Sequence, residues 1–278
     1  MEIALIIIGI LLIILTALYL FLIAPGAPRD IDKFKSLYYA HRGLHSDAVA
    51  ENSMTAFRLA VEAGFGIELD VRLSSDNVLV VFHDDTLDRV AGVEGRVDAF
   101  TAEELSKMSL SGTEDGVPTF REVLELVDGK VPLLVEIKED AGNSAVSTKA
   151  AEMLAQYKGD YIVESFNPLS IANVKKHLQN VTAGVLSHRY MDFEKYRKPL
   201  YFLLQCLFLN AVCRPAFIAY DHRHYSSLSL RIARRLFGAA TVAWTVRSPE
   251  EEAAAKAHGF DGIIFENYIP SLGSSEEN

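Results

Sequence analysis

A parallel (β/α)8 TIM-type barrel preceded by one membrane-spanning helix is the α/β fold this sequence predicts, and three observations carry it. Short β-rich runs alternate with helix-like segments over about 240 residues, close to the roughly 250 of one such barrel. No glycine-rich loop follows the first run, which disfavours the alternative, an open doubly wound sheet. An uncharged stretch from Ile3 to Ala24 stands before the alternation begins. Of the 278 residues, 50% are hydrophobic and 23% charged, which excludes a disordered or collagen-like chain. A net charge of −10 argues against a nucleic-acid partner.

The uncharged stretch holds 22 residues. As a helix rising about 1.5 Å per residue it reaches roughly 33 Å, enough for a hydrocarbon core of about 30 Å. A cleaved signal peptide is the competing reading. It calls for a basic leader, where this chain has Met1-Glu2, and for a shorter apolar run of roughly 7–15 residues. Tyr19 falls near one interface. Arg29, Lys33 and Lys35 follow the span and Glu2 precedes it, so the positive-inside rule places the body of a single-pass membrane protein in the cytoplasm. Cys206 and Cys213, the two cysteines, suit a reducing compartment. Pro25-Gly26-Ala27-Pro28 reads as a linker. The expected organisation is anchor and linker over 1–28, one barrel domain over 29–272, and a disordered acidic tail over 273–278.

The β-rich runs are Leu37–Ala40, Gly66–Leu73, Val78–His83, Val131–Lys138, Tyr161–Phe166, Val181–Leu186, Phe217–Asp221, Thr241–Val246 and Gly262–Phe265. Thr101 with Glu104, Thr119 with Glu122, and Ser248 with Glu251 are spaced as capping boxes, and Asn167-Pro168 opens another helix. Gly64, Gly129 and Gly259 stand where helices should end. There are nine runs, one more than a barrel needs. The link Ser74-Ser75-Asp76-Asn77 is too short for a helical crossover, so its flanking strands are expected to form a hairpin and leave the barrel irregular near its second strand.

A barrel's active site lies at the C-terminal ends of its strands. Those ends carry His41-Arg42, Glu68 and Asp70, His83-Asp84, Glu136 and Lys138, Glu164-Ser165, and Trp244 with Arg247. Side chains alternate along a strand, so Glu68 and Asp70 share one face, as do Glu136 and Lys138. Carboxylates brought together this way repel unless a cation sits among them, and Glu68, Asp70 and Glu136 suit a hard divalent ion such as Mg²⁺ or Ca²⁺. Isolated, each is a solvated charge at a strand end; the coincidence with two histidines at other strand ends argues for a site. His41 and His83 suit a general acid–base pair. Arg42 suits a phosphate oxygen in fork geometry, and Lys138 supplies a point charge. Together they suit phosphodiester cleavage, with the substrate left open.

The ordered set His41-Arg42-Gly43, Glu51-Asn52-Ser53 with Ala56-Phe57 and Ala60, Ile67-Glu68-Leu69-Asp70-Val71, His83-Asp84 with Leu87 and Arg89, Glu136-Ile137-Lys138, Ser165-Phe166 and Trp244-Thr245-Val246 resembles the glycerophosphodiester phosphodiesterases from about Tyr39 to Asn267. The resemblance implies a (β/α)8 barrel that hydrolyses glycerophosphodiesters to an alcohol and glycerol 3-phosphate with a divalent metal. It implies Glu68, Asp70 and Glu136 as metal ligands, His41 and His83 as acid and base, and Arg42 and Lys138 on the phosphate. By the same resemblance, Phe166 and Trp244 line the pocket. Glu51 approaches the metal region, and Asn52 or Ser53 takes part there or caps the following helix. The nucleophile is water or a neighbouring glycerol hydroxyl. The expected partners are a small-molecule or lipid-derived glycerophosphodiester and, through the N-terminal helix, a membrane. Lysophospholipase D-like cleavage of lysolipids by the same site is an alternative. A tethered binding protein with a dead site is another, and it would need a missing ligand or histidine.

Two positions depart from the family pattern. Arg247 stands where asparagine is common, and the last strand ends Ile264-Phe265-Glu266-Asn267 rather than in Thr-Asp. Both fall at the mouth and bear on substrate preference more than on catalysis. Leu200–Cys213 is a second uncharged stretch, of 14 residues, after Arg189, Lys195, Arg197 and Lys198. It reads as a buried barrel helix or as a membrane-facing helix with a basic approach. His222 and His224 read as rim or surface residues, and His45, His177, His188 and His258 have no partner visible in sequence.

Overall fold

The computed structural model describes residues 1–26, 31–140 and 142–271. Ala27, Pro28, Arg29, the Lys33 side chain and the tail 273–278 lie outside them, as do both expected domain boundaries.

Eight parallel strands close into a barrel: β1 (Tyr38–Ala40), β2 (Gly66–Leu73), β4 (Leu133–Ile137), β5 (Tyr161–Ser165), β6 (Ala183–Ser187), β7 (Phe217–Asp221), β8 (Ala240–Val246) and β9 (Gly262–Phe265). Closure is made by β1, which pairs with both β9 and β2. The ninth strand, β3 (Leu79–Val81), pairs antiparallel with the end of β2 through Val71–Val81 and Leu73–Leu79. The short Ser74–Asn77 link does form a hairpin, and the irregularity falls at the second strand as expected. The segment after β3 then builds a satellite core from Val80, Phe82, Leu87, Val90, Leu105 and Leu110.

The capping residues act largely as their spacing foretells. Thr101 and Thr119 close full capping boxes with Glu104 and Glu122, and Asn167 caps the helix Pro168–His177. Ser248 accepts from the Glu251 amide, but the Glu251 carboxylate accepts from the Arg247 amide instead of returning to Ser248. Gly64 ends its helix at φ 75°, while Gly129 and Gly259 lie one residue beyond the caps Asp128 and His258.

Alternation divides the strand residues between two cores. Leu69, Val71, Val135, Val163 and Val185 pack outward with the helices. Leu134, Ile162, Leu186, Phe217, Val242 and Ile264 fill the barrel interior. Ile31 and Phe34, just before β1, are buried with this interior set and close the end opposite the mouth.

The helix Glu2–Ile23 is long and apolar enough to cross a membrane, with a mean hydropathy of 3.1, and almost all of it is exposed. Leu200–Cys213 is not one buried helix. It divides into Pro199–Gln205, with no buried residue, and Asn210–Cys213, with Leu207 at φ 59° between them. A left-handed leucine ends the first helix, and Leu200 and Phe202 are left facing out.

Gly184 is the tightest point of the barrel interior, because a Cβ there would lie 2.5 Å from the Phe217 ring. Gly184→Val is expected to cost about 1–3 kcal/mol by overpacking, read as a lower urea midpoint at unchanged slope.

Candidate active site

Strand register brings the carboxylates together. Asp70 on β2 lies opposite Glu136 on β4, which lies opposite Glu164 on β5; Glu68 sits two residues earlier on β2. All four are buried. Glu68, Asp70 and Glu136 each offer an oxygen within 4.8 Å of the others, a spacing suited to a shared cation contacted at about 2.0–2.6 Å. The Lys138 ammonium stands 3.1 Å from Asp70 Oδ1 and 2.6 Å from Glu136 Oε1. It is paired with both carboxylates, one cation shared by two buried anions. Three buried carboxylates converging on one point beside a single ammonium are what a bound divalent cation would balance, so this donor set fits a divalent metal.

The crowding separates the carboxyls electrostatically. Burial, then the charges of Asp70 and Glu136, push Glu68 well above the usual carboxylate range. Burial raises Glu136 against the pull of Lys138. Burial also opposes ionisation of Asp70, but the charges of Lys138, His83 and Arg42 and a hydrogen bond from Asn52 outweigh it and hold this group low. Glu164 is pushed well up by burial and by Glu136 and Glu68.

The turn after β1 aims the cationic side. Arg42 and Gly43 take φ of 54° and 79°, and a Cβ on Gly43 would lie 2.8 Å from Ala56 Cβ. This turn directs the Arg42 amide to Glu68 Oε2 at 2.8 Å and its guanidinium Nη1 to Glu51 Oε1 at 2.6 Å, with Nε 3.6 Å from Asp70 Oδ2. Glu51 also receives both terminal nitrogens of Arg89. Among the described residues it therefore pairs with arginines and is not one of the clustered carboxylates. Asn52 and Ser53 divide the two roles between them. Ser53 caps the helix Met54–Ala63, and Asn52 donates to Asp70 Oδ2 at 2.9 Å.

Each histidine is oriented at Nδ1 by a carboxylate that an arginine braces. His41 Nδ1 meets Glu266 Oε2 at 2.5 Å, and Arg247 Nε meets Glu266 Oε1 at 2.6 Å. His83 Nδ1 meets Asp84 Oδ1 at 2.6 Å, and Arg89 Nε donates to Asp84 Oδ2 at 2.6 Å. In both, Nε2 remains as the nitrogen not engaged by that carboxylate. Burial, aided by the Arg42 charge and opposed by Glu266, lowers His41 to about 4, so its imidazole is neutral at pH 7. Burial works against ionisation of Glu266, but the hydrogen bond from His41, the nearby His45 and the Arg247 charge hold it far below its usual range. His45 Nε2 stands 3.8 Å from the same carboxylate.

All seven expected polar residues thus meet at one mouth, with His83 near enough for its charge to act on Asp70 and Glu136. Phe166 faces Lys138, whose Nζ lies 5.7 Å from the ring centroid, and Trp244 packs edge-on against Phe166 at 5.5 Å. A cavity of about 670 Å³ starts at Glu136 and Lys138, passes Phe166, and ends among Leu200, Leu204 and Val212. Sequence reasoning did not assign Glu266, Glu164 or His188. Glu266 follows the inward Ile264 by two residues, so strand alternation was the available signal for it. His188 joins the aromatic wall 6.0 Å from Phe166 and Trp244. His222 and His224 lie at the rim against Glu251, Asp192 and Asp221. His258 stacks on Tyr225, and His177 bonds the Asn173 carbonyl.

Comparison with known proteins points the same way. The glycerophosphoryl diester phosphodiesterase family model matches residues 41–269. A glycerophosphodiester phosphodiesterase of Caldanaerobacter subterraneus subsp. tengcongensis is 39% identical over 165 residues, covering 55% of this chain and 67% of that protein. Bacillus subtilis YhdW is 29% identical over 85% of this chain and 98% of its own length. An Oleispira antarctica phosphodiesterase, solved with its product sn-glycerol-3-phosphate, superposes at a TM-score of 0.70 with 21% identity, covering 85% of this chain and 95% of that one.

Glu164 allows the electrostatics to be tested without touching the three clustered ligand candidates. A carboxyl raised by folding binds its proton in the native state after the unfolded chain has lost it. Stability therefore falls as pH climbs from the ordinary glutamate value towards the raised one. In chelator, Glu164→Gln is expected to be more stable than the parent by a margin that widens as pH rises above the ordinary glutamate value, measured by urea unfolding.

Proposed function

The chain belongs to the glycerophosphoryl diester phosphodiesterase family, whose members are phosphoric diester hydrolases, and from that premise we propose that it hydrolyses glycerophosphodiesters to an alcohol and glycerol 3-phosphate at a membrane surface, using a divalent metal. The observation that carries this reading is the buried trio Glu68, Asp70 and Glu136, converging beside two braced histidines and two cations. These carboxylates would hold Mg²⁺ or Ca²⁺, which when bound supplies positive charge to the phosphate and its transition state. Arg42 and Lys138 bind the phosphate oxygens and balance the charge that develops there. Phe166 and Trp244 shape the pocket for the glycerol or its substituent.

His41, neutral by burial, takes the proton from the attacking oxygen at Nε2 while Glu266 holds its Nδ1. His83 donates a proton to the leaving alkoxide, with Asp84 fixing its ring. In this account Glu266 and Arg247 position His41 and therefore bear on catalysis as well as on substrate preference. The anchor and linker occupy 1–28 and the barrel domain 29–272. The apolar helix Glu2–Ile23 anchors the chain in the membrane, and the basic residues after it favour a cytoplasmic domain.

A second reading, lysophospholipase D-like cleavage of lysolipids, is favoured by one observation. The cavity continues from Lys138 into an apolar arm of Leu200, Leu204, Leu209 and Val212, where a free head group has nothing to bury.

Two measurements test the proposal. Activity on a panel of glycerophosphodiesters and lysolipids should vanish in EDTA and return with Mg²⁺ or Ca²⁺; turnover indifferent to chelation removes the metal. His41→Ala and His83→Ala should each lower kcat by about 10²–10⁴-fold on an alkyl diester. With a p-nitrophenyl leaving group, which departs unprotonated, the His83→Ala loss should shrink and the His41→Ala loss should persist.

A further inference from the structure

The N-terminal helix does not trail freely from the barrel. Its last turns lie against it, and their contacts fix a direction. The Tyr19 hydroxyl is 3.0 Å from Ser229 Oγ, and the Tyr19 ring meets Phe208 edge-on at 5.6 Å. Asn210, itself buried, donates to the Ile23 carbonyl at 2.9 Å. Arg214 donates to the carbonyls of Phe21 and Ala24 at 2.8 and 2.9 Å. The Gly26 amide donates to the Pro215 carbonyl at 2.8 Å, where a Cβ would lie 2.5 Å from Arg214 O.

Ser229 opens the helix Leu228–Phe237, which descends from the mouth end of β7, whereas Pro215 stands two residues before β7 begins, at the opposite end. From Tyr19 to Gly26 the chain therefore runs down the barrel wall from the mouth to the floor. The remaining helix, Glu2 to Leu18, extends about 25 Å the other way at about 1.5 Å per residue, out past the mouth. If this helix lies in a bilayer, that bilayer is on the side of the mouth.

The same rim is apolar and basic. Leu169, Phe193, Leu200, Phe202 and Leu228 are each about half exposed or more, and all lie on segments that follow the mouth ends of β5, β6 and β7. Lys195, Arg197 and Lys198 are exposed between Phe193 and Leu200, next to Glu194, and make no ion pair among the described residues. Leu169 and Leu200 are both exposed and part of the wall of the active-site cavity, so the cavity opens within this patch.

We infer that this rim docks on the bilayer that holds the N-terminal helix, seating Phe193, Leu200 and Phe202 at the acyl boundary and Lys195, Arg197 and Lys198 against anionic head groups, so that the active-site cavity opens towards lipid. The inference rests on the membrane-anchored reading above. Its occupant is a lipid surface rather than a second protein because the spanning helix leaves the barrel beside this patch.

The test uses the full chain, with Cys206 and Cys213 replaced by alanine, in bilayers of phosphatidylcholine with a minority of phosphatidylglycerol. One spin label is placed at Phe202→Cys and another at Leu236→Cys, an exposed residue at the far end of the helix Leu228–Phe237. The expected result is a Phe202 label more accessible to oxygen than to a water-soluble relaxation agent, and a Leu236 label with the reverse preference. Two labels equally open to the aqueous agent overturn the inference. Protection of Phe202 that persists in detergent micelles together with a dimeric mass also overturns it, in favour of a second copy of the chain. Activity on a water-soluble diester, measured on the same preparations, separates this outcome from failure of the functional reading. Turnover there with an aqueous Phe202 label sinks the docking alone; no turnover with a buried label sinks the function alone.

Discussion

Like charges held together inside the barrel are the constraint around which the mouth is arranged. Asp70, Glu136 and Glu164 share one layer because strand register aligns them, and Glu68 stands two residues below on the same strand. None has water to dilute its charge. The barrel meets this load with Arg42, whose amide and guanidinium face Glu68 and Asp70, with Lys138 between Asp70 and Glu136, and with a raised proton affinity at Glu68 and Glu164. The compensation is incomplete, since four buried carboxyls face one arginine and one lysine, and Glu164 Oε2 has no hydrogen-bond partner among the described residues. A site balanced in this way has affinity for a divalent cation and, through its arginine and lysine, for a phosphate.

Around this centre the two histidines are built on one plan from unrelated segments. A carboxylate holds Nδ1 and an arginine holds the carboxylate: Glu266 and Arg247 for His41, Asp84 and Arg89 for His83. Arg89 also grips Glu51, which grips Arg42, so the segment after β3 is tied to the phosphate side through one chain of ion pairs. Their environments differ. His41 is the more buried of the two and is neutral, whereas the His83 side chain is about a third exposed, which gives two imidazoles different work in one reaction.

The barrel and most of its site were legible in the sequence because strand period and capping chemistry are local. Alternation alone placed Glu68, Asp70 and Glu136 inward, and the four-residue link at Ser74 announced the hairpin. What escaped depended on partners distant in sequence. Glu266 and Arg247 read as departures from a family pattern until the fold set both beside His41, more than 200 residues earlier. Asn52 and Ser53 were interchangeable as caps until a positive φ turned Asn52 towards Asp70. Leu200–Cys213 was ambiguous because composition measures apolarity and not what covers it; the break at Leu207 and the exposure of Phe202 belong to the three-dimensional structure.

The central claim, that the carboxylate cluster is a cation site, is tested most directly by calorimetric titration of Mg²⁺ or Ca²⁺ into the full-length protein. Repeating the titration at one pH in two buffers of different ionisation enthalpy counts the protons released. The account predicts about one ion per chain, with proton release on binding because burial raises the proton affinity of Glu68, and a smaller release in Glu68→Gln. Binding without proton release, or binding unchanged in Glu68→Gln, would contradict it.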